Sequence, residues 1–488
     1  MKLRRALWFG LHTEPTNFTR LRKFEFLRIE LQSRIPRLTC GGSSTVTRNR
    51  GIGVGLIGFG TIGTGVVRVL REHAGALRDH VGAPVRLAGI ADLDIKTDRG
   101  VKVPRKILTT DARALIHSED VDVVVELMGG VEPARTFHEE ALRAGKAVVS
   151  ANKALVSEHG PALAKIAEKQ GSVYGFEAAV GGGIPIVRAL KESLASDRNL
   201  EVFGLVNGTA NFILSEMAAD GGEFSEVLAR AQKMGLAEAN PAYDVDGIDS
   251  VHKLVVLVAL AFGKKIRMRD VNVEGIRHIS GLDMAYAREF GYTLKLLAVA
   301  RPVGDRIHAS VHPAMVPNSH LLSKVDGVFN AICVRGRALG SSIYYGQGAG
   351  MMPTATAVVA DILDAARARL SGTAPIVPAY GRPSADLKRA RLVPAAESKG
   401  EHYLRLLVRD QPGVLGKVTT TLGRAGVSIA SVLQREAAVR GSIPIVMRTH
   451  LAPERAVRSA LAKIAKLPEV KAVPVAIRIE ERLGDDDV

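Results

Sequence analysis

Apolar residues follow two different rhythms along this chain, and the rhythm changes near residue 172. Ile52–Ile57 is a short apolar run ending in glycines and predicts a buried strand. Gly58-Phe59-Gly60-Thr61-Ile62-Gly63 follows, then Val66, Val67 and Leu70 at helical spacing. Val85–Ala91 predicts a second strand, ending in Asp92-Leu93-Asp94. The valine-rich run Val121–Leu127 predicts a third strand, Ala134–Ala144 a helix closed by Gly145, and Ala147–Ser150 another strand. Alternation of strand and helix predicts an α/β domain, with a parallel sheet covered by helices on both faces. The expected Rossmann-type nucleotide-binding domain spans 51–171. The chain re-enters it at about 345–370, through a helix near Thr354–Arg367.

Beyond residue 172 helices and strands mix. Gly181-Gly182-Gly183 precedes a helix from Pro185 to Leu194, and helical stretches follow at Ser225–Lys233 and Asp246–Phe262. Strand-like pieces recur near Val271–Ile276, Ala309–Val311 and Ile343–Tyr345. Residues 172–344 therefore read as an α+β catalytic and oligomerisation domain. Residues 371–400 are rich in Pro, Ser, Gly, Arg and Lys, which is linker composition. Residues 401–480 run strand, helix, strand, strand, helix, strand. That order predicts a ferredoxin-like module.

Charge alters this picture only at the start of the chain. The formal net charge is +16, and residues 1–50 hold eleven Lys and Arg against three Glu and no Asp. About half of the excess thus lies in a basic N-terminal extension. The remainder is too dilute, and too poor in aromatics, for a nucleic-acid surface. The extension is Arg-rich and acid-poor like a transit peptide, lacks the apolar core of a secretory signal, and also reads as sequence upstream of the true start. No apolar run is long enough to span a bilayer. The two cysteines, Cys40 and Cys333, make no disulfide framework, which fits a reducing, cytoplasmic compartment.

Several groups then stand out as chemistry. In the Gly58–Gly63 motif, Gly58 permits a tight turn, Gly60 lets backbone approach a pyrophosphate, and Gly63 lets helix and strand pack closely. Asp92 or Asp94 is placed to bind a ribose hydroxyl, as in NAD. Lys96 and Arg99 are near enough for the 2′-phosphate of NADP, so both cofactors stay open. Asp246, Asp249 and Lys253 share one helix face at spacings of three and four, and that face is partly apolar. A lysine withdrawn from water there has a lowered pKa suited to proton transfer, although a surface ion pair has the same spacing. Lys153, after a strand end, can polarise a carbonyl or touch cofactor phosphate. Glu238, in Gly235-Leu236-Ala237-Glu238, can hold a substrate ammonium; by pattern alone both Lys153 and Glu238 read more readily as solvated loop charges.

Taken together these blocks resemble homoserine dehydrogenase. The resemblance runs in order through Gly58–Gly63, Val125–Gly130, Ala151–Leu155, Phe176–Pro185, Asn207–Leu214, Gly235–Glu238, Asp249–Lys253 and Gly346–Gly350. Its most specific parts are the Asn-Gly-Thr and Asp-to-Lys blocks. It implies an NAD- or NADP-dependent oxidoreductase interconverting L-aspartate 4-semialdehyde and L-homoserine, in threonine, methionine and isoleucine biosynthesis. By the same resemblance Lys253 is the proton donor, Asp249 orients the transfer, Lys153 reaches cofactor and active site, and Glu238 and Asp244 hold substrate. Met128 and Gly348 join Gly58, Phe59, Gly60, Thr61, Ile62 and Gly63 at the cofactor. Glu177, Val180, Gly182 and Ile184 are implied as a sodium site, largely through carbonyl oxygens. Ala91 departs from relatives that carry a basic residue there, which weakens NADP. Residues 401–480 resemble an ACT domain, which implies a homodimer or homotetramer and an amino-acid effector such as threonine; a purely dimerising module stays open.

Overall fold

The computed structural model describes residues 50–435, 442–481 and 483. The expectations for the extension before residue 50 therefore lie outside the described residues.

The first sheet is parallel and six-stranded. Its strands run in the order Leu108–Thr109, Val85–Ala91, Ile52–Ile57, Val123–Glu126, Ala147–Ser150, Tyr174–Gly175. Every residue of Ile52–Ile57 and of Val123–Glu126 is buried. That is why these strands read as unbroken apolar runs: helices cover both faces. Strand order reverses between those two strands, which opens the crevice where such sheets bind ligands. The helix Met351–Ser371 returns to this domain. Its Ala355, Val358, Val359 and Ile362 share one core with Ile52, Val54, Leu56 and Val66. Gly65, on the helix Thr61–Glu72, makes the close crossing possible. A Cβ there would lie within 3 Å of Met351 and Ala355.

The second sheet has eleven strands. Its path runs Gly340–Gln347, Phe329–Gly336, Asn199–Leu205, Tyr292–Val303, Arg306–Pro317, Val475–Ile479, Lys399–Val408, Ile443–Thr449, Ile429–Gln434. The last four form the antiparallel sheet of the ferredoxin-like module, backed by the helices Val414–Arg424 and Glu454–Ile464. The module is not separate, however. Val475–Ile479 pairs in parallel with Arg306–Pro317, Ala314 opposite Arg478 and Met315 opposite Ile479, so one sheet runs through both. At this junction Asp283 is fully buried. It accepts from Tyr403 Oη at 3.0 Å and from Arg405 Nε and Nη2 at 2.7 and 3.0 Å, while closing the capping box of the helix Gly281–Glu289 with Ser280.

Two expectations need correction. Residues 371–400 are not a flexible linker: Tyr380 is buried against Phe176, Ser384 donates backbone and hydroxyl hydrogens to Glu168, and Lys388–Arg389 pairs with Lys264–Lys265. Polar composition concealed a few apolar anchors. Asp246 is not on the helix of Asp249 and Lys253. That helix begins at Ile248, after Gly247 at φ +81°, and Asp246 pairs with Arg277 at the surface. The positive-φ glycine breaks the spacing the sequence suggested. Among the described residues no helix is long and apolar enough to cross a membrane.

Candidate active site

The glycine turn sits at the crevice. Gly58 adopts φ +98°, and a Cβ there would strike the Leu127 backbone at 2.8 Å; a Cβ on Gly63 would lie 2.3 Å from the Gly58 carbonyl oxygen. Gly60 has open space: nothing lies within 4 Å of its missing Cβ. Gly60 also precedes the first turn of the helix Thr61–Glu72 without a side-chain cap, so the amides of that turn are left for an anion. Thr61 is exposed and Ile62 half-buried, beside a buried Phe59. The Phe59 amide donates to the Asp92 carboxylate, which is thereby spent on shaping the loop. Arg99 lies 3.6 Å from both Asp92 and Asp94 and over the Phe59 ring, while Lys96 stands exposed. The Thr97 side chain, with the amides of Thr97 and Lys96, donates to Asp94 and holds its carboxyl down at about 2.

These glycines make a sharp prediction. Gly60→Ala should leave the melting temperature near wild type yet weaken dinucleotide binding at least tenfold, measured by fluorescence titration. Gly63→Ala should lower the melting temperature as well, because it strikes backbone. Unaltered binding in Gly60→Ala would mean that the open space holds no phosphate.

Across the crevice a buried carboxylate organises the second loop. Glu126 accepts from the amides of Met128 and Gly129 at 2.7 and 3.3 Å, from Ser150 Oγ at 2.9 Å, and lies 3.1 Å from His138 Nε2. Burial works against its charge, but His138 and the donors outweigh it and keep the carboxyl below its ordinary value. Asn152 Nδ2 reaches Gly130 O at 2.6 Å and Glu126 at 3.4 Å, while Asn152 Oδ1 caps the helix Lys153–Gln170. One carboxylate therefore sets both the Met128 loop and the helix that starts at Lys153.

Residues far apart in sequence then converge on Asp249. Its Oδ2 accepts from Lys253 Nζ at 2.7 Å, one helical turn on, and from Asn207 Nδ2 at 2.9 Å. Its Oδ1 pairs with Lys153 Nζ at 2.7 Å. Lys253 Nζ donates also to the Val206 carbonyl, so among the described residues two of its three hydrogens are taken and one remains. Burial would raise the Asp249 carboxyl, but the two lysines hold it well below the carboxylate range. The lysines differ. Desolvation dominates at Lys253 and draws its pKa down, although Asp249 opposes it. At partly exposed Lys153 the Asp249 carboxylate outweighs burial and the pKa is raised. His252 donates to or accepts from Ser157 at 2.7 Å, and burial pushes it down to about 4, so it is neutral at physiological pH.

Of the remaining predicted residues, Asp244 adjoins this centre. Asp244 accepts the other hydrogen of Asn207 Nδ2 at 2.8 Å. Tyr243 lies under Lys153 Nζ at 5.4 Å and beside His252. Glu238 is exposed, and among the described residues its carboxylate has no partner; only its carbonyl accepts, from Gln232. Gly348 and Gly182 lie back to back, since a Cβ on Gly182 would meet the Gly348 carbonyl at 2.5 Å. Val180 and Ile184 are buried. The Glu177 carboxylate accepts from the amides of Val187 and Arg188, and burial with nearby Asp361 pushes it up to about 7. No group of three or more His, Cys, Asp or Glu among the described residues is arranged to hold a metal.

Known proteins match this chain along most of its length. The family model for homoserine dehydrogenase covers residues 185–363, that for the homoserine dehydrogenase NAD-binding domain covers 58–177, and the ACT domain covers 402–469. A homoserine dehydrogenase of Neisseria gonorrhoeae is 41% identical over 429 residues, covering 88% of this chain and 98% of the relative. The chain belongs to the homoserine dehydrogenase family. The family member of Bacillus subtilis is 38% identical over 88% of this chain and 99% of its own length. The crystal structure of the Thiobacillus denitrificans homoserine dehydrogenase superposes with a TM-score of 0.81 at 39% identity, covering 88% of this chain and 98% of that one. Within this family fold, sequence reasoning had passed over Glu126, Tyr243, His252 and Ser157, and gave Asn207 no role. The blocks containing Glu126 and Asn207 were visible as motifs, but nothing in their letters says where the side chains point.

Proposed function

We propose that this chain interconverts L-aspartate 4-semialdehyde and L-homoserine, with Lys253 as the proton donor to the aldehyde oxygen. The single observation behind this is the Lys153–Asp249–Lys253 bridge, with one Lys253 hydrogen unpaired among the described residues. The dinucleotide, when bound, supplies the hydride to the carbonyl carbon, or accepts it in the reverse direction. The chain's residues do the rest. Lys253, desolvated and drawn down, is the lysine better disposed to release a proton. Lys153 keeps its charge and is suited to polarise the carbonyl or meet cofactor. Asp249 orders both ammonium groups. Glu238 and Asp244 are offered to the substrate ammonium, and among the described residues the Glu238 carboxylate has no competing partner.

The residues of the cofactor reading fit a dinucleotide: Gly58, Phe59, Gly60, Thr61, Ile62 and Gly63 would take the pyrophosphate, and Met128, Lys153 and Gly348 the opposite side. Asp92 and Arg99 meet at one strand end, where a ribose hydroxyl would have to share the Asp92 carboxylate with the loop amides and a 2′-phosphate would suit Arg99. The sodium reading has narrower support. The carbonyls of Val180 and Gly182 accept no hydrogen bond among the described residues, while those of Glu177 and Ile184 already do. A homodimer or homotetramer is favoured by the outer strands Gly340–Gln347 and Ile429–Gln434, whose far edges are unpaired among the described residues. The ACT module is the place for an amino-acid effector such as threonine, with the turn before Val414 and Gly426 as its loops; a cytoplasmic enzyme accords with this chemistry.

The test is homoserine oxidation by the purified full chain, followed at 340 nm with NAD and with NADP, each with and without L-threonine. Turnover with at least one cofactor is expected, and reduced turnover with threonine. No turnover with either would refute the activity; identical rates with threonine would remove the effector.

A further inference from the structure

Asn207 does two things at once. It is buried at the end of the strand Asn199–Leu205, where its Oδ1 accepts from the Ala210 amide at 2.7 Å and caps the helix Gly208–Asp220. Its Nδ2 points the other way and donates to Asp244 Oδ1 at 2.8 Å and Asp249 Oδ2 at 2.9 Å. Its neighbour Val206 takes a Lys253 hydrogen. Capping alone needs an oxygen, which Ser, Thr and Asp supply as well. Among the side chains that favour this cap position, only asparagine supplies that oxygen together with two N–H donors. Two carboxylates within hydrogen-bond reach of one nitrogen are close enough to repel strongly unless a donor stands between them.

We propose that Asn207 is a positioning residue for the reaction: it holds Asp249 against Lys253 and keeps Asp244 and Asp249 apart in role, the first facing substrate and the second facing the lysines. The inference rests on the roles given to Lys253 and Asp249 above. The titratable groups around this contact are Tyr243 and Asp244 on the helix Ala242–Val245, Asp249, His252 and Lys253 on Ile248–Phe262, and Lys153 on Lys153–Gln170.

Two substitutions separate positioning from capping. Asn207→Asp keeps the capping oxygen but brings a third carboxylate to the pair. Like charges so close force one group to keep a proton. The acidic limb of the kcat/KM profile for homoserine should therefore move to higher pH, while the melting temperature stays near wild type. Asn207→Ser also caps the helix but is too short to reach both carboxylates. It should lower kcat about 10²-fold, the size expected for a misplaced catalytic group, with cofactor KM unchanged. Wild-type kcat in Asn207→Ser, or a lowered melting temperature with an unmoved acidic limb in Asn207→Asp, overturns the proposal. Should Asn207→Asp not fold, the split between kcat and cofactor KM in Asn207→Ser decides alone. Activity surviving in Lys253→Ala would instead overturn the underlying reading, so the two failures are distinguishable.

Discussion

Replacing Lys253 by alanine should lower kcat for homoserine oxidation by about 10²–10⁴-fold, the usual worth of a positioned proton-transfer group. Dinucleotide affinity should hold, because Lys253 touches Asp249 and Val206 and makes no contact with the glycine turn. Lys153 cannot take over the role readily. It stands on the other oxygen of Asp249 and keeps its proton more tightly. Lys253→Arg should rescue little, since a planar guanidinium cannot satisfy Val206, Asp249 and a substrate oxygen from a point. Steady-state kinetics with both cofactors, alongside a fluorescence titration of binding, read this directly. A variant with turnover near wild type would show that the proton comes from elsewhere.

The second large effect concerns stability rather than turnover. Asp283→Ala would leave Arg405 and the Tyr403 hydroxyl buried with no acceptor, at the seam where the ACT module joins the catalytic sheet. Breaking a buried pair from one side typically costs ~3–5 kcal/mol, far more than a surface pair. Urea unfolding should show a transition shifted to lower denaturant. Asp283→Asn, which keeps an acceptor oxygen, should lie between. The paired removal Asp283→Ala with Arg405→Met should recover much of the loss, because no charge is then stranded. A single-variant loss below about 1 kcal/mol would mean that water enters the seam, and that the module is less tightly joined than these contacts imply.

The two sites stand on neighbouring helices. The helix Gly281–Glu289, anchored by Asp283, packs on the helix Gly208–Asp220, whose cap is Asn207. Asn207 touches Asp249.

The amino-acid sequence by itself determined the nucleotide half of the molecule. Strands buried on both faces must be apolar throughout, and a turn that needs positive φ must be glycine, so Ile52–Ile57, Val123–Glu126 and Gly58 write their structure into their letters. It determined also that Asp249 and Lys253 meet, because residues four apart on a helix are neighbours. Tertiary structure decided what local periodicity cannot encode. Tyr292–Val303, buried along most of its length, offers no alternation to read, and Tyr380 anchors a segment whose composition reads as a linker. Lys153, Asn207 and Asp249 are brought together only because the starts of three separate helices meet. The direction of each lysine's pKa follows from burial and from the carboxylate between them, which are properties of the fold and not of either residue.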